Sequence, residues 1–225
     1  MSNTLGMQRA AAGRLAAALS LTAVLGACAT TPPYDYTAFK QSRPRSLLVL
    51  PPVNDSKEVQ ATNGVMATVT VPLAEAGYYV LPVTMVDETF RQNGLHTPND
   101  IAEVSAAKLH QIFGADAAVY IRVKDYGTRY LVLGSETRVT VEGRIVDLRS
   151  GALIWEGKAT ASSQESEGSS QGGVVGLLVK AIVTQIVGTV TDASFNYAGI
   201  ANQRLLGPRV NGVLHGPRSP LYQKD

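Results

Sequence analysis

At 225 residues, with 45% hydrophobic and 17% charged side chains, the chain is long enough to bury one sizeable core and reads as one globular domain with terminal extensions. Lysine and arginine number 20 against 18 acidic residues, a balance without the basic excess that nucleic-acid binding demands. Cys28 is the single cysteine, which excludes a disulfide framework.

Residues 1–27 read as a signal peptide. Arg9 and Arg14 are their only charges, and Leu15 to Leu25 is almost wholly apolar. A permanent span needs roughly 20 apolar residues, so this shorter stretch is a signal h-region. Leu25-Gly26-Ala27-Cys28 resembles the lipobox, which is cleaved ahead of the cysteine after its thiol is diacylated. Cys28 is therefore expected to carry diacylglycerol and an N-acyl chain such as palmitate, an anchor stronger than the marginal grip of one chain. Acylation also accounts for a lone thiol in an oxidising compartment. Ala29, in place of aspartate, implies by analogy with enterobacterial sorting an outer-membrane protein facing the periplasm. Without Arg9 and Arg14 the mature chain holds 18 residues of each sign. Residues 28–45, with Pro32, Pro33 and Pro44, read as a lipidated tether.

Ser46 to Pro51 is a short apolar run closed by prolines and reads as a first buried strand. Val65, Met66, Val69 and Leu73 mark one helical face, with Pro72 expected to kink or restart the helix and Gly77 to end it. Tyr78 to Val83 reads as a second buried strand. Thr84 is positioned to cap a helix from Met85 to Gln92, closed by Asn93-Gly94. Thr97-Pro98 opens another, running through Phe113 with Ala102, Ala106, Leu109 and Phe113 on one side, and Gly114 stops it. Val119, Ile121 and Val123, then Val139, Val141 and Ile145, alternate with polar residues as half-buried strands. Asp147 to Gly151 reads as a hairpin turn into a strand from Leu153 to Thr160, with Trp155 inward. Ser162 to Gly173 reads as a loop, Val174 to Val190 as a strongly apolar helix, and Asp192 to Leu206 as further helix. Residues 207–225, with Pro208, Pro217 and Pro220, read as a tail that is either an extended strap or disordered. The order defines an α/β domain over residues 46–206, a mixed sheet flanked by helices.

Pro72 to Val83, followed by Val86 to Phe90 and Asn93-Gly94-Leu95, resembles a family of bacterial lipoproteins catalogued as domain of unknown function 799. Ala115 to Tyr120 with Lys124 to Gly127 matches it too. So do Val146 to Gly151 with Trp155-Glu156-Gly157, and Gly207-Pro208-Arg209 with His215-Gly216-Pro217. The resemblance implies a module like the TolB amino-terminal domain and the CsgG periplasmic domain. It also implies envelope lipoprotein partners of CsgG type. Ser162 to Gly173 is too short and polar for pore-forming strands of roughly 9 to 11 residues each.

Chemical candidates are few. Gly168-Ser169-Ser170-Gln171-Gly172 matches Gly-x-Ser-x-Gly, with Asp192 and His215 following in hydrolase order, but the polar run before Ser170 lacks the strand that a nucleophile elbow needs. His96, His110 and His215 have no metal-ligand spacing. Gly172 to Gly176 could receive a phosphate at a helix start but lacks the lysine and hydroxyl of a P-loop. Lys124-Asp125-Tyr126 and Arg129-Tyr130 read as a solvated strand edge or an interface hot spot. In the apolar helix, Val175, Leu178, Val179, Ile182, Val183 and Ile186 are either core or an interface with a second copy or a partner. The reading is a non-enzymatic, lipid-anchored docking or assembly component of an outer-membrane secretion system, oligomeric, without cofactor or metal. The alternatives are a cell-wall glycan-binding module and a serine hydrolase using Ser170.

Overall fold

The computed structural model describes residues 34–131, 134–165 and 193–224. Cys28, Ser170, Asp192 and the apolar segment from Val174 to Val190, with its six candidate interface residues, lie outside them.

A six-stranded mixed sheet organises the domain, in the order β3-β1-β4-β5-β6 with β2 also on β4. β1 (Ser46–Val49) runs parallel to β4 (Ala117–Leu131) and to β3 (Tyr79–Val80). Pro51 and Pro52 have no N–H to give and interrupt the first strand. The chain then rejoins the same edge of β4 as β2 (Val53–Asn54), the Asp55 N–H donating to the Val123 carbonyl at 2.9 Å. β5 (Gly134–Asp147) and β6 (Leu153–Ser162) complete an antiparallel meander. The expected α/β class with a mixed sheet is what the structure has.

Strand alternation divides the core. Leu47, Val49, Val119, Ile121, Val123, Val139, Val141, Ile145 and Trp155 point to one face, covered by α2 (Ala61–Glu75) and α6 (Ala193–Leu206) through Val65, Val69, Leu73, Ala198, Ala201 and Leu205. Gly143 and Gly157 pair across β5 and β6 on that face. A Cβ on Gly157 would lie 2.7 Å from the Trp155 ring and one on Gly143 3.0 Å from Leu205, so the two glycines make room for the largest core side chain. Leu48, Leu50 and Ala118 point the other way. They pack with Val86 and Phe90 of α3 (Val83–Gln92), Ile101 of α4 (Pro98–Ala102) and Leu109 of α5 (Ala106–Phe113).

Several expectations change. α2 runs through Pro72 to Glu75 without restarting: the proline removes only its own N–H bond, and the ladder resumes with the Ala76 N–H on the Pro72 carbonyl at 3.0 Å. The second strand is only Tyr79–Val80, and Tyr79 is half exposed: it is an edge, not a buried strand. α3 begins at Val83 after Pro82, and Thr84 does not cap it. The helix expected to run through Phe113 is two helices, since Ser105 turns outward and accepts from the Lys108 N–H as a fresh N-cap. Thr97 does cap α4, accepting from the Asp100 N–H.

Both ends of the domain extend further than expected. Asp35 to Arg45, read as tether, belongs to the folded unit: α1 (Thr37–Ser42) buries Phe39, and the Tyr36 hydroxyl donates to the Gly212 carbonyl. The tail is an ordered strap of turns. Gly216 and Arg218 donate to the carbonyls of Ala76 and Gly77 at 2.7 and 3.0 Å, Tyr78 donates to Leu214, and Val213 is buried.

Candidate functional site

α3, α4 and α5 cover β1 and the start of β4 but stop short of β5 and β6. Among the described residues no helix covers the rest of that face, which forms a concavity of about 500 Å³ floored by β4, β5 and β6 and walled by Leu50, Pro51, Val53 and Ala102.

Register gives the floor its chemistry. Arg122, Glu142 and Lys158 stand opposite one another across the three strands, and Tyr120, Arg144 and Glu156 form the next row. Side chains two apart on a strand share a face, so both rows point into the concavity. Opposite charges alternate along them. Lys158 bonds Glu142 at 3.0 Å, and the Arg144 guanidinium lies 4.5 Å from the Tyr120 ring centroid. Asp55, just beyond β2, takes Arg122 on one carboxylate oxygen and Lys124 on the other, each at 2.8 Å. The hydrogen bond from Lys124, with Arg122 beside it, holds the Asp55 carboxyl below its ordinary range. Burial pushes the Tyr120 phenol up.

A bulge between Val123 and Asp125 ends the pattern, because one extra residue reverses which side chains face inward. Tyr126 is thereby buried against Gly64 of α2. The group Lys124-Asp125-Tyr126 with Arg129-Tyr130 is therefore divided: Lys124 pairs with Asp55, Tyr126 joins the core, Arg129 pairs with Asp125, and Tyr130 is 88% exposed.

The histidines are not brought together as a metal site; the described residues contain no group of three or more possible ligands. His96 is exposed, and His110 Nδ1 lies 2.9 Å from the Ala115 carbonyl. His215 Nδ1 lies 3.0 Å from Ser219 Oγ in the strap, at the end of the sheet where β3 starts. Glu165 sits at the other end, bonded to Arg204 beyond the end of β6. Glu136, buried where β6 ends, accepts from Ser162 and Arg138, which hold its carboxyl low. No described helix is long and apolar enough to cross a membrane.

Sequence reasoning missed Asp55, Tyr120, Arg144 and Glu156 as one surface. The signal was present in Glu142-Gly143-Arg144 and Glu156-Gly157-Lys158, charges two apart on strands; their partners depended on register.

Fold and surface together define a small α/β module with a packed sheet face, an open charge-laddered face, and an amino-terminal segment clipped under one end. The chain belongs to the family described as "Putative lipoprotein GNA1162-like", whose model matches residues 34–218. It is 48% identical over 205 residues to the "Putative lipoprotein NMB1124/NMB1162" of Neisseria meningitidis serogroup B, spanning 89% of this chain and 94% of that one. The crystal structure of lipoprotein GNA1162 from Neisseria meningitidis superposes with a TM-score of 0.53 at 47% identity, covering 65% of this chain and all of that one. A looser likeness, at 20% identity and a TM-score of 0.40, is to the LpoB C-terminal domain from Salmonella enterica, over 62% of this chain and 90% of that one. The lipoprotein family expected from the sequence is thus established.

Proposed function

We propose that this protein is a lipid-anchored, non-enzymatic envelope lipoprotein that docks with partner proteins through the open face of its sheet. The floor of β4, β5 and β6, which no described helix covers, carries the reading. A concave surface whose charges are already paired across strands presents fixed, self-neutralised polar groups, the kind of surface that selects a complementary partner more than it catalyses. Family membership supports the anchor, with Cys28 as its acylated residue and the outer membrane as its place. CsgG-like lipoproteins are the proposed partners, in an oligomeric secretion or surface assembly, with Val175, Leu178, Val179, Ile182, Val183 and Ile186 as a second contact.

The hydrolase alternative is disfavoured by chain length. Five residues from Glu165 to Ser170 reach at most about 18 Å. His215 lies at the opposite end of the sheet from Glu165, and the ten-residue β6 alone rises about 33 Å. A glycan-binding role would use the same concavity, with the Tyr120 ring and Arg144 as contacts.

Affinity capture of the membrane-extracted protein, beside a Glu142→Lys, Glu156→Lys variant for the sheet face and a Val179→Asp, Ile186→Asp variant for the second contact, tests the proposal. The parent is expected to retain an envelope lipoprotein that the folded Glu142→Lys, Glu156→Lys variant loses. Capture of no protein partner, together with sedimentation on purified peptidoglycan, would replace docking with glycan binding.

A further inference from the structure

β6 is the last strand of the sheet, and among the described residues no strand pairs with its outer edge. The ladder on its inner edge fixes which groups face outward. The Ser163 N–H donates to the Thr137 carbonyl at 2.9 Å, and β5 and β6 stay in step from Arg138↔Ser162 to Ile145↔Trp155. Hydrogen-bonded pairs alternate with non-bonded ones in an antiparallel ladder, so Glu156, Lys158 and Thr160 turn their N–H and C=O groups away from β5. The Arg204 guanidinium takes the Thr160 carbonyl at 2.6 Å and borders the edge on that side. Toward the β5–β6 turn the ladder breaks at Ile154, because Ile145 pairs with Trp155 and Val146 with Leu153. Glu156-Gly157-Lys158 is the regular stretch between these borders.

The charge on this stretch is complementary to itself. Glu156 and Lys158 are both exposed, lie on the open face of the sheet, and carry opposite signs on either side of Gly157. Edge strands are guarded against pairing by charges that an incoming strand would oppose. Opposite signs two residues apart do the reverse when the incoming strand is a copy of the same one. In an antiparallel pairing about a two-fold axis through Gly157, each Glu156 faces the partner's Lys158, and the outward N–H and C=O groups of the two residues bond reciprocally. Gly157, on the axis, has no side chain to meet its own copy. Moving the axis by one residue sets Glu156 on the partner's Glu156, or Lys158 on the partner's Lys158, so charge opposes both slips. The alternation of the floor also continues across the junction. Arg122, Glu142 and Lys158 run on into the partner's Glu156, Arg144 and Tyr120, with the signs alternating through both copies.

We propose that the protein forms a two-fold dimer by pairing β6 with β6 of a second copy, which joins two sheets into one. The interface is isologous. Backbone bonding holds the strands together, and the two Glu156–Lys158 pairs select the register. The two concavities then lie on one face of a continuous sheet. The pairing goes beyond the docking reading and holds whatever the open face binds.

Sedimentation equilibrium of the full chain, extracted in density-matched detergent, tests the dimer by exchanging charges. The parent should show a concentration-dependent monomer–dimer equilibrium. Glu156→Lys and Lys158→Glu each set like charges opposite one another and should weaken dimerisation roughly ten-fold through the two altered cross-strand pairs. An equimolar mixture of these two variants should restore it, since each then offers the other opposite signs at both positions. The double variant Glu156→Lys, Lys158→Glu should dimerise like the parent, and the amides of Glu156 and Lys158 should exchange more slowly as parent concentration rises. A parent that stays monomeric at every concentration overturns the proposal, as does a dimer indifferent to both single substitutions. Single variants that are folded by circular dichroism, lose the dimer and do not recover it on mixing overturn the assigned register. A parent that is monomeric alone but joined to a different protein through β6 overturns the second copy as the occupant of this edge.

Discussion

Asp147 joins α1 to the body of the fold, and its removal should be felt in stability. Asp147 is buried, 4% exposed. It accepts from Ser42 Oγ of α1 at 2.6 Å, from the Ser150 N–H at 2.8 Å and from the Arg149 N–H at 3.0 Å, with the Arg149 guanidinium at 3.4 Å. Burial raises its pKa, but the Ser42 and Ser150 bonds and the Arg149 charge outweigh burial and set it at about 2, below the ordinary 3.8. A depressed carboxylate stabilises the folded state fully above its unfolded pKa and loses that contribution as pH falls through the folded value. The difference corresponds to about 2 kcal/mol at neutral pH. Asp147→Asn should therefore lower the melting temperature by roughly 4–8 °C for a domain of this size. Thermal unfolding followed by circular dichroism from pH 7 downward is the assay. The gap between parent and variant should narrow from about pH 5 toward pH 2. A variant as stable as the parent at pH 7, or a gap that stays constant with pH, would refute the assigned role of the buried charge.

Three further substitutions probe the packing. Gly157→Ala places a methyl against the Trp155 ring and should cost about 1–3 kcal/mol in urea unfolding; a neutral result would mean the ring does not lie on that glycine. Phe39→Ala should cost about 3–5 kcal/mol if α1 is truly docked, and limited proteolysis near α1 should accelerate; an unchanged midpoint would return residues 35–45 to the tether. Ser105→Ala should cost about 1 kcal/mol by removing the cap of α5, and equal stability would favour a continuous helix from Pro98 to Phe113.

Periodicity made most of the fold legible. Val119-Ile121-Val123 and Val139-Val141 alternate as strands must, and Val65-Val69-Leu73 repeats as a helix face must, so both elements and their buried sides follow from the chain. Long-range pairing was not legible. β2 is two residues on the edge of β4, seen only once Asp55 meets Val123, and the strap is ordered because Gly216 and Arg218 find the open carbonyls of Ala76 and Gly77. The bulge at Lys124 had no local signature, yet it decides that Tyr126 is core. Likewise, Glu142 and Arg144 look like ordinary solvent-facing residues until register sets them opposite Lys158 and Glu156. Prolines misled at Pro44, where a short helix precedes the residue, because composition alone hid the burial of Phe39.

The open sheet face, in the proposed reading, meets a partner protein. A photo-crosslinking amino acid at position 144, compared in cells with the same group at exposed Asn63 on α2, tests it most directly. The account predicts a discrete crosslink from position 144 to one envelope lipoprotein, lost when Glu142 and Glu156 are replaced by lysine, and none from position 63. Crosslinks to glycan or lipid alone, or equal labelling from both positions, would contradict it.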